Sequence, residues 1–206
     1  MAKNKKKYNS KPGGGAKAVV ENSDSDDEGS VLNDGASVVS EASTVQGEAE
    51  EGVDETSQLE QFEGKVKDAI ELATQKSAAG RVKALDAICT GFLKRYCPDF
   101  VENQQMTICD LVERSLKKGK GGEVEVAARL SILLGLQLAD PEEVYKELKA
   151  LLTQMVSDKT ASPVARAAVA TSLAGLCFLG GGEMAEVVSI MAVLEGVFSS
   201  SYTKPE

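Results

Sequence analysis

Apolar residues recur at steps of three and four from about Val53 onward, the spacing that lines one face of a helix. Leu59, Phe62, Val66, Ile70 and Ala73 form the first such face. Ser77 as N-cap predicts a second helix through Val82, Leu85, Ile88, Cys89, Phe92 and Tyr96, which Pro98 ends. A third is expected from near Thr107, where Asp110 follows at a capping-box-like spacing, through Ile108, Leu111, Val112 and Leu116 to Gly119. The fourth, from about Glu123 to Leu138, is apolar almost all round, so it belongs inside, flanked by other helices. Asp140-Pro141-Glu142-Glu143 combines a cap, a first-turn proline and acids that complement the helix dipole, and opens a fifth helix through Val144, Leu148, Leu151, Leu152 and Met155. Ser162-Pro163 repeats the device for a sixth, through Val164, Ala168, Leu173 and Cys177 to the stop at Gly180-Gly181-Gly182. A seventh runs from Glu183 to about Phe198. No stretch alternates at period two, so the fold class is all-α.

Superimposing the second, fourth and sixth helices at Ser77, Gly121 and Ser162 aligns Arg81 with Glu125 and Arg166, and Ala84 with Ala128 and Val169. It also aligns Ile88 with Ile132 and Leu173, and Phe92 with Leu136 and Cys177. Helix pairs recurring every 41 to 44 residues have the period of armadillo and HEAT arrays, in which the second helix of each pair lines the inner face. A single irregular bundle is the alternative. Such stacks leave a long surface free and bind macromolecules. The last helix has no following partner, so an apolar face around Met191, Leu194 and Phe198 is expected to lie open, and the chain reads as the first part of a longer array.

Charge divides the chain further. Residues 1–17 hold six lysines and no acid, residues 18–64 hold fourteen acids and no Lys or Arg, and residues 65–206 are nearly neutral. The net charge of −9 therefore describes a tail. Residues 1–52, basic over 1–17 and acidic over 18–52, carry too few large apolar side chains to offset the entropy of ordering. They read as a disordered segment ahead of a helical domain over 53–206. Lys3, Lys5, Lys6 and Lys7 make a basic arm of the kind that neutralises phosphates without a fold. Ser23 and Ser25 each stand three residues before an acid, the pattern that acid-directed kinases read.

Candidate chemistry is sparse. With no His in the chain, the commonest general base and metal ligand are both missing, which disfavours an enzyme and most zinc sites. Cys89, Cys97, Cys109 and Cys177 lack a CxxC spacing and read as buried thiols. The longest uncharged stretch, 167–182, is short of a bilayer span, so no membrane helix is expected, and no secretory signal opens the chain. No cofactor, metal or small-molecule substrate is expected. The densest positive patch is the turn holding Lys117, Lys118 and Lys120; Arg81, Lys83, Lys94 and Arg95 could extend it along the second helix. The aromatics sit at apolar-face positions, which argues against base stacking and leaves electrostatic contact as the way to touch RNA.

The run Met106-Thr-Ile-Cys-Asp-Leu-Val-Glu-Arg-Ser-Leu-Lys-Lys-Gly-Lys-Gly121 and the run Thr160-Ala-Ser-Pro-Val-Ala-Arg166 resemble the N-terminal half of the interferon-related developmental regulator family. The order of lysine-rich start, glycine run and Ser-Asp-Ser-Asp-Asp-Glu is similar too. The resemblance implies a noncatalytic helical-repeat regulator of nucleus and cytoplasm. The partners it implies are histone-deacetylase corepressor complexes, in transcriptional coregulation, and the ribosome, in translational control. Family members continue well past this length, so functions residing in their C-terminal regions do not carry over.

Overall fold

The computed structural model describes residues 55–120 and 122–202, with side chains through residue 200. The tail over 1–52, with its lysine arm and Ser23 and Ser25, lies outside the described residues. Among the described residues seven α-helices follow one another: α1 (Glu55–Leu72), α2 (Ala78–Lys94), α3 (Pro98–Lys118), α4 (Gly122–Gln137), α5 (Glu142–Ser157), α6 (Pro163–Gly180) and α7 (Met184–Tyr202).

The start signals act as their chemistry requires. Ser77 Oγ accepts from the Gly80 N–H at 3.3 Å, and Ser162 Oγ from the Ala165 N–H at 3.1 Å. Asp140 Oδ1 accepts from the Glu142 N–H at 3.1 Å. Two boundaries differ from expectation: α2 ends at Lys94, which leaves Tyr96 in the turn, and α3 begins at Pro98 and not near Thr107. A proline that ends one helix also suits the first turn of the next, where its missing N–H has no partner to lose. The polar run Glu102-Asn-Gln-Gln then faces outward, while Val101 and Ile108, seven residues apart, are both fully buried.

The helices stack in two layers. α2, α4 and α6 pack side by side in one, and α1, α3, α5 and α7 follow one another in the other, each packed against its layer mates less closely than the first three are. Closer packing in one layer than the other bends a stack toward it, so α2, α4 and α6 form the inner layer of an α-helical repeat. As expected, α4 is flanked by α2, α3 and α6, and its Leu130 and Leu134 are wholly buried with Leu85, Ile88, Leu173 and Leu176.

Burial gives the register of the packed positions. Ala84, Ala127 and Ser172 coincide, as do Leu85, Ala128 and Leu173, and Ile88, Ser131 and Leu176, all buried, at spacings of 43 and 45 residues. The caps keep the register read from residue type for α2 and α6, since Ser77 and Ser162 are both N-caps and Arg81 and Arg166 both donate to carbonyls at or just past the end of the preceding helix. The buried positions follow spacings that differ from that register by one residue at α4 and three at α6. Residue type placed Leu136 with Phe92, but Leu136 is 53% exposed. Small side chains let the inner helices approach: Ser172 Oγ donates to the Ala128 carbonyl of the neighbouring helix. At Gly180 an added Cβ would lie 2.7 Å from the Pro141 carbonyl oxygen.

Polar side chains fasten successive repeats at both ends. Gln137, 4% exposed, accepts from the Cys97 N–H at 2.8 Å and donates to the Phe92 and Arg95 carbonyls at 2.8 and 3.1 Å, so α4 holds the α2–α3 turn. Tyr145 donates to Glu186 at 2.6 Å and Lys149 pairs with the same carboxylate, fixing α7 to α5. The hydrogen bond from Lys149, then that from Tyr145, holds the Glu186 carboxyl below its usual range. Contrary to the expectation drawn from uncharged stretches, α6 is long and apolar enough by composition to cross a membrane. In this fold it is the third inner helix, and Val169, Leu173, Leu176 and Cys177 are buried in the common core.

Candidate binding surfaces

The α1–α2 turn leaves α1 with free C-terminal carbonyls, and two arginines from other helices cap that turn. Arg114 on α3 donates to Ala73 O at 2.8 Å, and Arg81 on α2 donates to Gln75 O and Lys76 O at 3.2 and 2.7 Å. Cations at a helix C-terminus also complement its dipole. Arg81 further makes a two-pronged bond to Glu123 at the start of α4, with both N···O distances 2.8 Å. Glu123 is 2% exposed. Its hydrogen bond from Arg81 holds the carboxyl below the ordinary range against the opposing effect of burial. Arg81 is therefore a structural clasp between repeats and leaves the basic stripe in which its sequence position placed it.

The rest of that stripe is also divided. Lys83 is exposed one turn into α2, whereas Lys94 and Arg95 stand at the opposite end, about 17 Å along the axis. Arg95 lies 5.8 Å over the Phe62 ring. At the α3–α4 turn, Lys117 pairs with Glu113 one turn back, while Lys118 and Lys120 are exposed. Lys118 joins Arg81, Arg114, Thr74, Gln75 and Glu123 around a shallow depression of about 270 Å3. A second depression of about 250 Å3 shares Thr74 and Arg114 with it. Sequence reading missed Arg114 and Gln75; the signal for Arg114 was its place in the last turns of α3, ahead of Lys117 and Lys118.

The inner layer presents a different surface. Asp86 on α2 and Arg129 on α4 form an ion pair across it. Toward the C-terminal ends of the three inner helices stand Leu93, Leu136 and Phe178, exposed by 67%, 53% and 87%. Tyr96 and, on α7, Phe198 are also exposed, so the expectation that aromatics face the core fails for three of them. Met191 and Phe198 leave the α7 face open as expected, but Leu194 packs partly against the core.

The described residues contain no group of three or more Cys, Asp or Glu placed to hold a metal ion. All four thiols are free and buried, and burial pushes Cys89 and Cys97 up to about 11 and Cys109 to about 12, far from a reactive thiolate.

Residues 35–206 match the family model described as interferon-related developmental regulator. Among curated relatives, interferon-related developmental regulator 2 of Mus musculus is 40% identical over 154 residues, covering 73% of this chain and 35% of its own length. Interferon-related developmental regulator 1 of Sus scrofa is 38% identical over 162 residues, and that of Homo sapiens 36% over 162; each alignment covers 76% of this chain and 36% of the relative. The chain thus spans about a third of the length of the relatives it matches.

Proposed function

The chain belongs to the interferon-related developmental regulator family, and from that premise we propose that it is a noncatalytic regulatory adaptor that works by binding a large macromolecular partner. The observation that carries this reading is the inner layer, where three successive repeats set Leu93, Leu136 and Phe178 in solvent beside the Asp86–Arg129 pair. A row of large apolar side chains on a rigid stack costs free energy in water and is recovered when a partner covers it. Shallow depressions and buried, unreactive thiols support binding over catalysis.

The partner classes are a ribosome, in translational control, or a histone-deacetylase corepressor complex, in transcriptional coregulation, with the nucleus and cytoplasm as sites of action. On a ribosome, Lys118 and Lys120 would meet RNA phosphates electrostatically, positioning the chain without reading sequence. A second reading has the lysine arm, six lysines with no acid over residues 1–17, as the nucleic-acid-binding element and the repeats as a platform.

Cosedimentation with purified ribosomes at low and physiological salt, for residues 1–206 and for a chain beginning at residue 53, separates these. Salt-resistant binding by both is expected from the repeats. Binding lost with the arm supports the second reading, and no binding by either directs the proposal to corepressor complexes.

A further inference from the structure

The depression between the α1–α2 and α3–α4 turns holds more positive charge than the fold uses. Arg81 and Glu123 neutralise each other at its edge, and Glu123 is the single carboxylate that lines it. Arg114 places one guanidinium nitrogen on Ala73 O. Lys118 has neither a hydrogen bond nor an ion pair among the described residues. Gln75, in the same lining, has its Nε2 buried without an acceptor. A buried amide donor left unpaired is costly and rare; Nε2 is packed against Gly80, so an incoming oxygen removes that cost once the side chain turns toward the depression. Two cations and an amide donor around one hollow match an oxyanion with several acceptor oxygens, as a phosphoryl group offers.

The chain carries its own source of that chemistry. Residues 18–64 hold fourteen acids and no cation, and within them Ser23 and Ser25 lie in the block Ser23-Asp-Ser-Asp-Asp-Glu28. The 18-residue α1 leads directly into the depression, so Glu55 stands about 27 Å away from it. Some 30 residues separate Ser25 from Glu55, a length that spans at most about 100 Å and so exceeds the distance to the depression.

We propose that the depression lined by Gln75, Arg114 and Lys118 is an anion-binding site that receives the chain's own Ser23–Glu28 block once Ser23 and Ser25 are phosphorylated. In that modification the serine Oγ–P bond forms as the bond from the γ-phosphorus of a nucleoside triphosphate to its bridging oxygen breaks. The diphosphate leaves and the hydroxyl proton passes to a base of the acid-directed kinase.

The test uses the full chain, isotopically labelled, before and after phosphorylation at Ser23 and Ser25. The Gln75 side-chain amide and Arg114 Nε–H signals should move on phosphorylation, return on phosphatase treatment or in about 0.5 M salt, and stay fixed in Ser23→Ala/Ser25→Ala. The Arg129 Nε–H signal, on the inner face, should not move. Lys118→Glu, at an exposed position, should weaken the contact about tenfold. Signals that ignore phosphorylation, or that move equally in Lys118→Glu, overturn the proposal. So does a short single-stranded RNA that shifts these signals where the phosphorylated block does not, since the site then serves nucleic acid. No ribosome or corepressor enters the measurement, so its failure leaves the adaptor reading standing, and the failure of that reading leaves this site standing.

Discussion

Replacing Glu123 with Gln keeps the shape of the side chain at the α2–α4 junction and removes its charge. In the native fold both carboxylate oxygens face Arg81 at 2.8 Å, and the two side chains are 3% and 20% exposed. Breaking a fully buried pair by removing one member costs about 3–5 kcal/mol, because the remaining charge is left without compensation. Here Arg81 keeps its bonds to Gln75 O and Lys76 O and some contact with water, so the expected loss is smaller, about 2 kcal/mol. For a domain of this size that lowers the melting temperature by roughly 4–8 °C. Urea and thermal unfolding followed by circular dichroism at neutral pH read the loss directly. A double-mutant cycle with Arg81→Ala and Glu123→Ala should return a coupling energy of about 2 kcal/mol. Because hydrogen bonding from Arg81 holds the Glu123 carboxyl below its usual value, the ionised form is favoured by folding. The pair's contribution is therefore complete above about pH 4.5 and is lost as the pH falls through the folded-state value, so wild type and Glu123→Gln should converge in acid. A loss under about 0.5 kcal/mol at neutral pH, typical of exposed pairs, would refute the reasoning.

Other perturbations separate the remaining contacts. Gln137→Ala strips the Cys97 N–H and the Phe92 and Arg95 carbonyls of their buried partner and should cost about 2–3 kcal/mol in urea unfolding; a change under about 0.5 would show that water replaces the amide. Gly180→Ala and Gly196→Ala should act in opposite directions. The first forces a Cβ to 2.7 Å from the Pro141 carbonyl oxygen and destabilises, while the second meets nothing within 4 Å in mid-helix and stabilises by up to about 1 kcal/mol. Burial of all four thiols predicts that a disulfide reagent at pH 8 modifies the chain only as fast as it opens, with stoichiometric labelling after denaturation; rapid labelling of the folded chain would contradict the packing.

Much of this architecture was legible because helix periodicity and cap chemistry are local. Ser77, Asp140 and Ser162 each bond the backbone N–H groups that their spacing promised. The start of α3 escaped because the polar run Glu102-Asn-Gln-Gln separates its first apolar pair, Phe100 and Val101, from the face that resumes at Ile108, and the apolar spacing is silent across that gap. The repeat was visible as a period, and its register held at the caps of α2 and α6 but not at the exposed apolar position of α4. Residue type aligned Leu136 with Phe92, yet it cannot distinguish an apolar side chain in the core from one standing on an exposed inner face. Small buried positions such as Ala127, Ser131 and Ser172 count through how closely they let two helices approach. The basic stripe failed for a related reason. Arg81 is an ordinary surface cation until folding brings Glu123, 42 residues later, opposite its guanidinium, whereas Arg114 and Lys118 are neighbours one turn apart on α3 and only their meeting with the α1–α2 turn needs the fold.

The inner layer gives the account its sharpest exposure to test. Phe178→Glu combined with Leu136→Glu changes two side chains that are largely in solvent, so helicity and melting temperature should stay within the small range of surface substitutions. Binding of the full chain to ribosomes and to a purified histone-deacetylase corepressor complex would then be measured for wild type and this variant. The account predicts that whichever partner the wild type binds is lost at least tenfold by the folded variant, because charge cannot be covered by an apolar contact. Unchanged binding by the variant would contradict the claim that the inner face of the repeat is where this protein acts.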